Sequence, residues 1–321
     1  MTPRQLAHFL VRRLASLVAM LAILSFAIYS LLYLAPGSPV DILLGSQPRT
    51  PETVALLNER YHLDEPFLTQ YWIWLNGAIH LDFGTSIRST LPVTDEIGAR
   101  LPLSLFLGAY AYLITMVFGV GLGIVSALRR KTVVDRGIVG ATVVGLSTPA
   151  FVSGVVLLFL FAIIVPAFPA TGAGEGFVDR VWHLTLPAVA LALTVAAFVL
   201  KHTRAAMIGV LDQDYVTFAR ARGLSQRRVL FSYALRNALI PIVTISGLVL
   251  GSLIVGAFLV EVTFSLSGIG QLLVDSATFK DLPMIQGVAL IIAVVLILAN
   301  LLADLLYMAV DPRISVGRKS R

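Results

Sequence analysis

Two glycine strings are the first places to look for chemistry in this 321-residue chain: Gly119-Val120-Gly121-Leu122-Gly123 and Gly268-Ile269-Gly270. Glycines spaced this closely let a backbone wrap a phosphate. A phosphate loop also needs a strand before it, a helix after it and, in the common form, a lysine. The first string has no base after it and sits inside an apolar run. Its Gly119 and Gly123 are four apart, the spacing that lets two membrane helices approach closely. It therefore reads as a packing motif. The second string reads as a tight or re-entrant turn within 261–286. Metal and acid–base chemistry find no better footing. His8, His62, His80, His183 and His202 are scattered without metal-ligand spacing, and none pairs with a serine at matching depth. Absence of cysteine removes disulfides, thiolate metal sites and thiol catalysis. Asp304 is the one acid well inside an apolar run, with Asn300 one turn before it. An intramembrane carboxylate is a functional candidate by default. Only about two turns separate this one from Arg313, so it reads as a hydrogen-bonding group between helices. The chain thus offers no catalytic residue and no cofactor or metal site of its own.

The elements around these residues explain the lack. Hydrophobic residues make up 57% of the chain and charged residues 13%, against about 25% charged in soluble domains. Mean hydropathy is +0.88. Six runs are long and apolar enough to span a bilayer, near 14–34, 103–128, 137–165, 184–200, 241–260 and 287–309. With no water to bond their backbone, they must be helices. The fourth is short and can extend past Lys201 by snorkelling. The first follows Arg4, Arg12 and Arg13 and precedes Ala35-Pro36-Gly37, a poor cleavage site, so it reads as a retained helix. The net charge of +6 sits in loops between runs, which argues for membrane orientation and against nucleic acid. Three bases precede the first run, four lie in 129–136, seven between Lys201 and Arg236, and four in the tail; the alternate side has four, one and one. The basic side is cytoplasmic, so both termini are expected inside.

Three regions follow: a tail and first helix at 1–34, an extracytoplasmic helical segment at 35–102, and a five-helix body at 103–321. In the second region Thr50-Pro51-Glu52 is a helix start. Tyr71, Trp72 and Trp74 fit a helix at the membrane interface. Pro92 and Pro102 bracket a short helix leading into the second span. Whether this region caps the spans or docks an external partner stays open. Pro149, within Ser147-Thr148-Pro149-Ala150, predicts a kink in the middle of the third span.

The longest basic stretch, 202–240, carries the most information. A connection between spans needs only a handful of residues, yet this one runs to about forty and is rich in helix formers. T-F-A-R-A-R meets Gly223, and a second helix follows through Q-R-R-V-L-F-S-Y-A-L-R-N-A-L. Two short helices around a glycine turn form a knob suited to a partner.

This stretch resembles the permease subunits of binding-protein-dependent ABC importers. The general signature of a Glu-Ala-Ala triplet and a glycine four residues on is met by Ala219 and Gly223, while Thr217 and Phe218 replace the first two members. Leu235 matches the later Ile-x-Leu-Pro element, and Arg236 stands at its proline. The peptide class of B-type subunits, with its nickel and glutathione relatives, is matched much more closely. Its wording D-Y-V-x-x-A-R-A-R-G-L-S-x-R-R-V-L-x-x-H-A-L-R-N-A-L-x-P is followed by residues 214–241, with Tyr233 in place of the histidine. Similar strings occur at 31–40, 81–87, 99–105, 147–151 and 310–314. At 261–270 Ser267 replaces a proline of the family pattern.

The resemblance implies an all-α polytopic protein of the bacterial cytoplasmic membrane, with six transmembrane helices in the type I importer permease fold. It implies a second, homologous permease, two ATPase subunits that bind ATP and magnesium, and an extracytoplasmic binding protein. The expected ATPase-coupling residues are Asp214, Tyr215, Val216, Ala219, Arg220, Ala221, Arg222, Gly223 and Leu224. A path or hinge is expected among Ser147, Thr148, Pro149, Thr244, Ser246 and Ser252. Di- or oligopeptide is the expected substrate, with glutathione or nickel as alternatives in the same class. The rival from another class is an ion-coupled secondary transporter, which needs buried titratable groups or broken helices near the midplane.

Overall fold

Thirteen α-helices and two π-helical segments make up a computed structural model that describes residues 3–34, 37–44 and 48–310. The basic tail residues Arg313, Arg318, Lys319 and Arg321, and most of the 310–314 string, lie outside the described residues. The helices are α1 Pro3–Leu34, α2 Pro39–Leu44, α3 Pro51–Tyr61, α4 Phe67–Ile79, α5 Val93–Leu128, α6 Val133–Ser147 and α7 Ala150–Leu158. A π-helical segment, Phe159–Ile164, continues α7. There follow α8 Gly176–Leu211, α9 Asp214–Ala221, α10 Gln226–Arg228, a second π segment Val229–Leu235, α11 Arg236–Thr263, α12 Ile269–Thr278 and α13 Leu282–Val310. One isolated bridge, Thr85 to Pro92, is the only extended pairing among the described residues.

All six apolar runs are helical, and five are single helices of spanning length. The third departs from the expected kink. It is broken, with α6 and the α7 segment meeting at 104°. Pro149 has no N–H to donate to the Gly145 carbonyl four residues back, and the Thr148 carbonyl beside it accepts from Thr194 Oγ1 at 2.8 Å. Pro102 departs the other way: α5 runs unbroken from Val93 through it, so no separate short helix precedes the second span. The fourth span does extend past Lys201, as α8 reaches Leu211.

The chain forms two compact units. One holds 2–102 together with 268–297, so the region after 103 lends residues 268–297 to the unit that contains the first 102. Its core is Phe83, Val93, Ile97, Ile269, Met284 and Val288. Here α3 begins with a capping box: Thr50 Oγ1 accepts from Thr53 N and Thr53 Oγ1 accepts from Thr50 N, with Pro51 in the first turn. Against α1, helix α4 packs through rings, with Phe26 edge-on to Tyr71 and Tyr33 edge-on to Phe67. Gln70 is buried between them and accepts from the hydroxyls of Tyr29 and Tyr33. Of the three α4 aromatics noted in the sequence, Trp72 alone turns fully outward, at 64% exposure.

The other unit holds 103–267 and, of the described residues after them, 298–310. Helix α8 is its centre, packed by α6, α7 and α11, around Leu107, Leu184, Leu191, Leu253 and Phe264. The Gly119–Gly123 string is a packing motif, as its spacing predicted. A Cβ on Gly119 would lie 2.8 Å from Val199 Cβ, and one on Gly123 would lie 2.7 Å from Thr203 Cβ and 2.9 Å from the Leu200 carbonyl. Only glycine lets α5 run this close to α8.

Candidate functional site

Residues 212–235 fold into the knob that the sequence suggested. On α9, Val216 and Ala219 are buried at 0% and 5% exposure and pack on Val229 of the π segment, with Leu224 and Tyr233 alongside. Spaced three apart, they share one face of the helix. The opposite face is open: Phe218 is 68% and Tyr215 40% exposed. On the same knob the bases Arg220, Arg222, Arg227 and Arg228 are exposed, as are Asp214 and Ala221 at the two ends of the helix. An apolar centre with a charged rim is the anatomy of a protein interface.

Gly223 makes the turn. Its φ is +77°, its N–H donates to the Arg220 carbonyl at 2.9 Å, and Leu224 N–H donates to the Ala219 carbonyl at 3.3 Å. A left-handed glycine past the last helical residue is the usual way to close a helix C-terminus. Nothing lies within 4 Å of the position a Cβ would take. The demand for glycine is therefore conformational, not steric crowding. Ser225 then caps α10, accepting from Arg228 N–H. The π segment carries the chain into α11, which makes the knob the cytoplasm-expected end of that span. Single π turns inside helices recur at functional sites.

Two ion pairs fix the root of the knob. Arg130 donates to Asp212 at 2.9 Å on the surface. Deeper, Arg204 of α8 forks onto Asp135 of α6, Nε to Oδ1 at 2.8 Å and NH2 to Oδ2 at 2.9 Å. Asp135 also accepts from Ser126 Oγ and from Lys131 N–H, so the first turn of α6, the end of α5 and α8 share one carboxylate. The side chain of Asp135 is 6% exposed. Arg204 belongs to the seven bases of the basic stretch, but it points at Asp135 rather than outward. Nothing in its sequence neighbourhood marks a partner 69 positions away.

The hydroxyl residues of the expected path fall in two places. Ser147, Thr148 and Pro149 sit at the break between α6 and α7, with Thr148 Oγ1 bonded back to the Val144 carbonyl. Thr244, Ser246 and Ser252 lie along α11, bonded back to the carbonyls of Ile240, Val243 and Val249. Ser246 is buried at 5% exposure, whereas Thr244 and Ser252 are open. Thr194, which bridges the break, carried no signal in the sequence. Asp304 is half-buried in α13 and is not without a partner.

A bundle of apolar helices, one of them broken, and an exposed basic knob between two spans define a membrane transport component. The model of the binding-protein-dependent transport system inner membrane component matches residues 119–316, and that of the N-terminal region of such membrane components matches 6–108. The chain belongs to this family: it is a multi-pass membrane permease component. It is 34% identical to the dipeptide transport system permease protein DppB of Escherichia coli K12, over 96% of this chain and 98% of that one. It is 36% identical to the oligopeptide transport system permease protein AppB of Bacillus subtilis 168, over 96% and 99%. The glutathione transport system permease protein GsiC of Escherichia coli K12 is 36% identical over 96% and 98%. Among solved structures, the methionine ABC transporter MetNI in an inward-facing conformation aligns with TM-score 0.54 at 15% identity, over 67% of this chain and 96% of that one. An amino acid ABC transporter aligns with TM-score 0.51 at 19% identity, over 67% and 94%. At these identities the likeness speaks for the fold, which is that of ABC importer permeases.

Proposed function

We propose that this chain is the permease subunit of an ATP-driven importer of di- or oligopeptides. It pairs with a second, homologous permease to enclose a path. Two ATPase subunits bind ATP and magnesium on the cytoplasmic side, and an extracytoplasmic protein delivers the substrate. Both termini and the knob face the cytoplasm. The observation that carries this reading is the exposed outer face of α9, apolar at Tyr215 and Phe218 and basic around them, on a helix whose inner face is already packed. Such a face is complementary to a groove on another protein. Closure of the ATPases displaces α9. Through Val216, Ala219 and Val229 the displacement reaches α11; through the two ion pairs it reaches α8, α6 and the end of α5. Packed helices respond by moving between discrete arrangements rather than by bending.

Peptide is favoured by the dipeptide and oligopeptide relatives, and glutathione, itself a peptide, fits the same chemistry. Nickel has less support: no group of three His, Cys, Asp or Glu suited to an ion occurs among the described residues. The test is uptake of labelled dipeptide measured together with ATP hydrolysis in the reconstituted complex. Gly223→Val puts a β-branched residue at φ +77°, which costs about 1–3 kcal/mol and reshapes the knob. Substrate-stimulated hydrolysis and uptake should part company while the subunit stays in the membrane. Normal values for both would reduce the knob to a connector.

A further inference from the structure

The unit formed by 2–102 and 268–297 contains a cavity of about 430 Å³ that the transport reading leaves without a role. That volume is within the range of small-molecule sites, roughly 300–1,000 Å³. Its walls are aromatic and apolar, from Tyr29, Trp74, Phe83 and Leu282 among others. Polar groups share the lining, among them His62, Gln70 and Thr85; four others, of different kinds, have capacity to spare, and of these Arg60 and Asp82 are exposed. Arg60 spends one N–H on Thr85 Oγ1 at 2.7 Å, and its guanidinium has four more. Asp82 takes a single bond, from Gly84 N–H to Oδ1 at 3.0 Å, and no base pairs with it among the described residues. Gln286 is 6% exposed, and its amide N–H reaches the Tyr29 carbonyl at 3.3 Å. Its Oε1 has no partner in the protein among the described residues, and neither has the Tyr61 hydroxyl.

Nearby polar groups set the contrast. Gln70, on the same wall, is saturated: its oxygen accepts from two tyrosines and its nitrogen donates to the carbonyls of Leu63 and Glu65. Gln286, by contrast, has an amide oxygen with no protein partner among the described residues that keeps access to solvent on the cavity wall. Burial holds the Tyr61 phenol above its usual range, so it stays a neutral donor.

We infer that this cavity is a binding site for a short zwitterionic peptide. The ligand's carboxylate lies on Arg60 and its ammonium on Asp82. A peptide N–H donates to Gln286 Oε1, a peptide carbonyl accepts from Tyr61, and an apolar side chain lies on the Trp74 and Phe83 rings. Each ligand group thereby meets a protein group that has free capacity. The inference rests on the peptide reading above and adds to it a site on the permease itself. A phosphatidylethanolamine headgroup carries the same pair of charges, but it has no amide for Gln286.

The experiment uses the full chain in phosphatidylcholine nanodiscs with isotope-labelled Ala-Phe as the probe, read by equilibrium binding. Saturable binding in the roughly millimolar range or tighter is expected. Tyr61→Phe removes a hydroxyl with no protein partner, so it should leave the melting temperature alone and weaken binding about tenfold, as should Gln286→Leu. Blocking both ends, as in N-acetyl-Ala-Phe-amide, should weaken binding further. No saturable binding, equal binding of the blocked peptide, or unchanged affinity in both variants overturns the site. So does a phosphatidylethanolamine that stays in the cavity and is not displaced by Ala-Phe. Uptake by the complete complex separates the two claims. Peptide uptake with no binding to this chain refutes the cavity alone. Absence of peptide uptake refutes the function on which it rests.

Discussion

The knob at 212–235 and the cavity of the N-terminal unit use polar and apolar groups in opposite ways. The knob is convex, packs its inner face on itself and turns rings and guanidinium groups outward. The cavity is concave and lined by rings, with only a few polar atoms left unspent. A convex apolar patch among exposed bases suits a groove on another macromolecule. A small aromatic hollow with single free donors and acceptors is filled by a small one. On the two proposals above, one chain carries two recognition surfaces of different scale, and each is expected to be disabled without the other.

The largest effect should come from a change that respects neither. Gly123→Leu drives a side chain into Thr203 Cβ and the Leu200 carbonyl, at 2.7 and 2.9 Å from the new Cβ. Overpacking of this kind costs about 1–3 kcal/mol or more. Folded subunit recovered from membranes should fall, and peptide binding and ATPase docking should fall with it. Recovery of either function at full yield would mean that α5 and α8 separate without cost. Next in size is the Asp135 and Arg204 pair. Asp135→Leu alone strands a guanidinium and should lower the melting temperature and the coupling of hydrolysis to uptake. The double variant with Arg204→Met should lose less than either single change. An additive double variant would remove the pair from the account of how motion leaves the knob.

How far these features can be read from sequence depends on whether they are local. The six spans, the Thr50 cap, the Gly223 turn and the Gly119–Gly123 contact all rest on residues a few positions apart, and each was legible. The break at Pro149 was legible only as a kink. A proline states that one backbone bond is lost; the angle between the halves, and the bond from Thr194 to the Thr148 carbonyl 46 residues away, are tertiary features that no local pattern carries. Pro102, with the same local chemistry, leaves α5 continuous. Arg204 looked like one more base of a docking surface because its carboxylate lies 69 residues away. The cavity gave no signal, since its polar atoms come from α3, α13 and the loop after α4, and what marks them is the absence of partners.

Smaller effects sharpen the contrast between the two surfaces. Phe218→Ala should cost about 2 kcal/mol of ATPase docking, roughly thirtyfold in affinity, as truncation of an interface aromatic does. Ala-Phe binding should be unchanged. A fall in peptide binding would show that the two surfaces are not independent. The mildest test perturbs neither. The chain has no cysteine, so Glu59→Cys and Arg227→Cys can be labelled singly in sealed cells. An impermeant thiol reagent should modify position 59 and spare 227; the reverse pattern would invert the orientation.

The coupling role of the knob is the central claim, and contact between α9 and an ATPase subunit tests it most directly. A photoreactive benzoylphenylalanine in place of Phe218, irradiated in membranes that hold the whole transporter, should cross-link to the ATPase. The yield should change between nucleotide-free and ATP-bound states and drop in the Gly223→Val background. Cross-links only to lipid or to this chain itself, with or without ATP, would contradict the account.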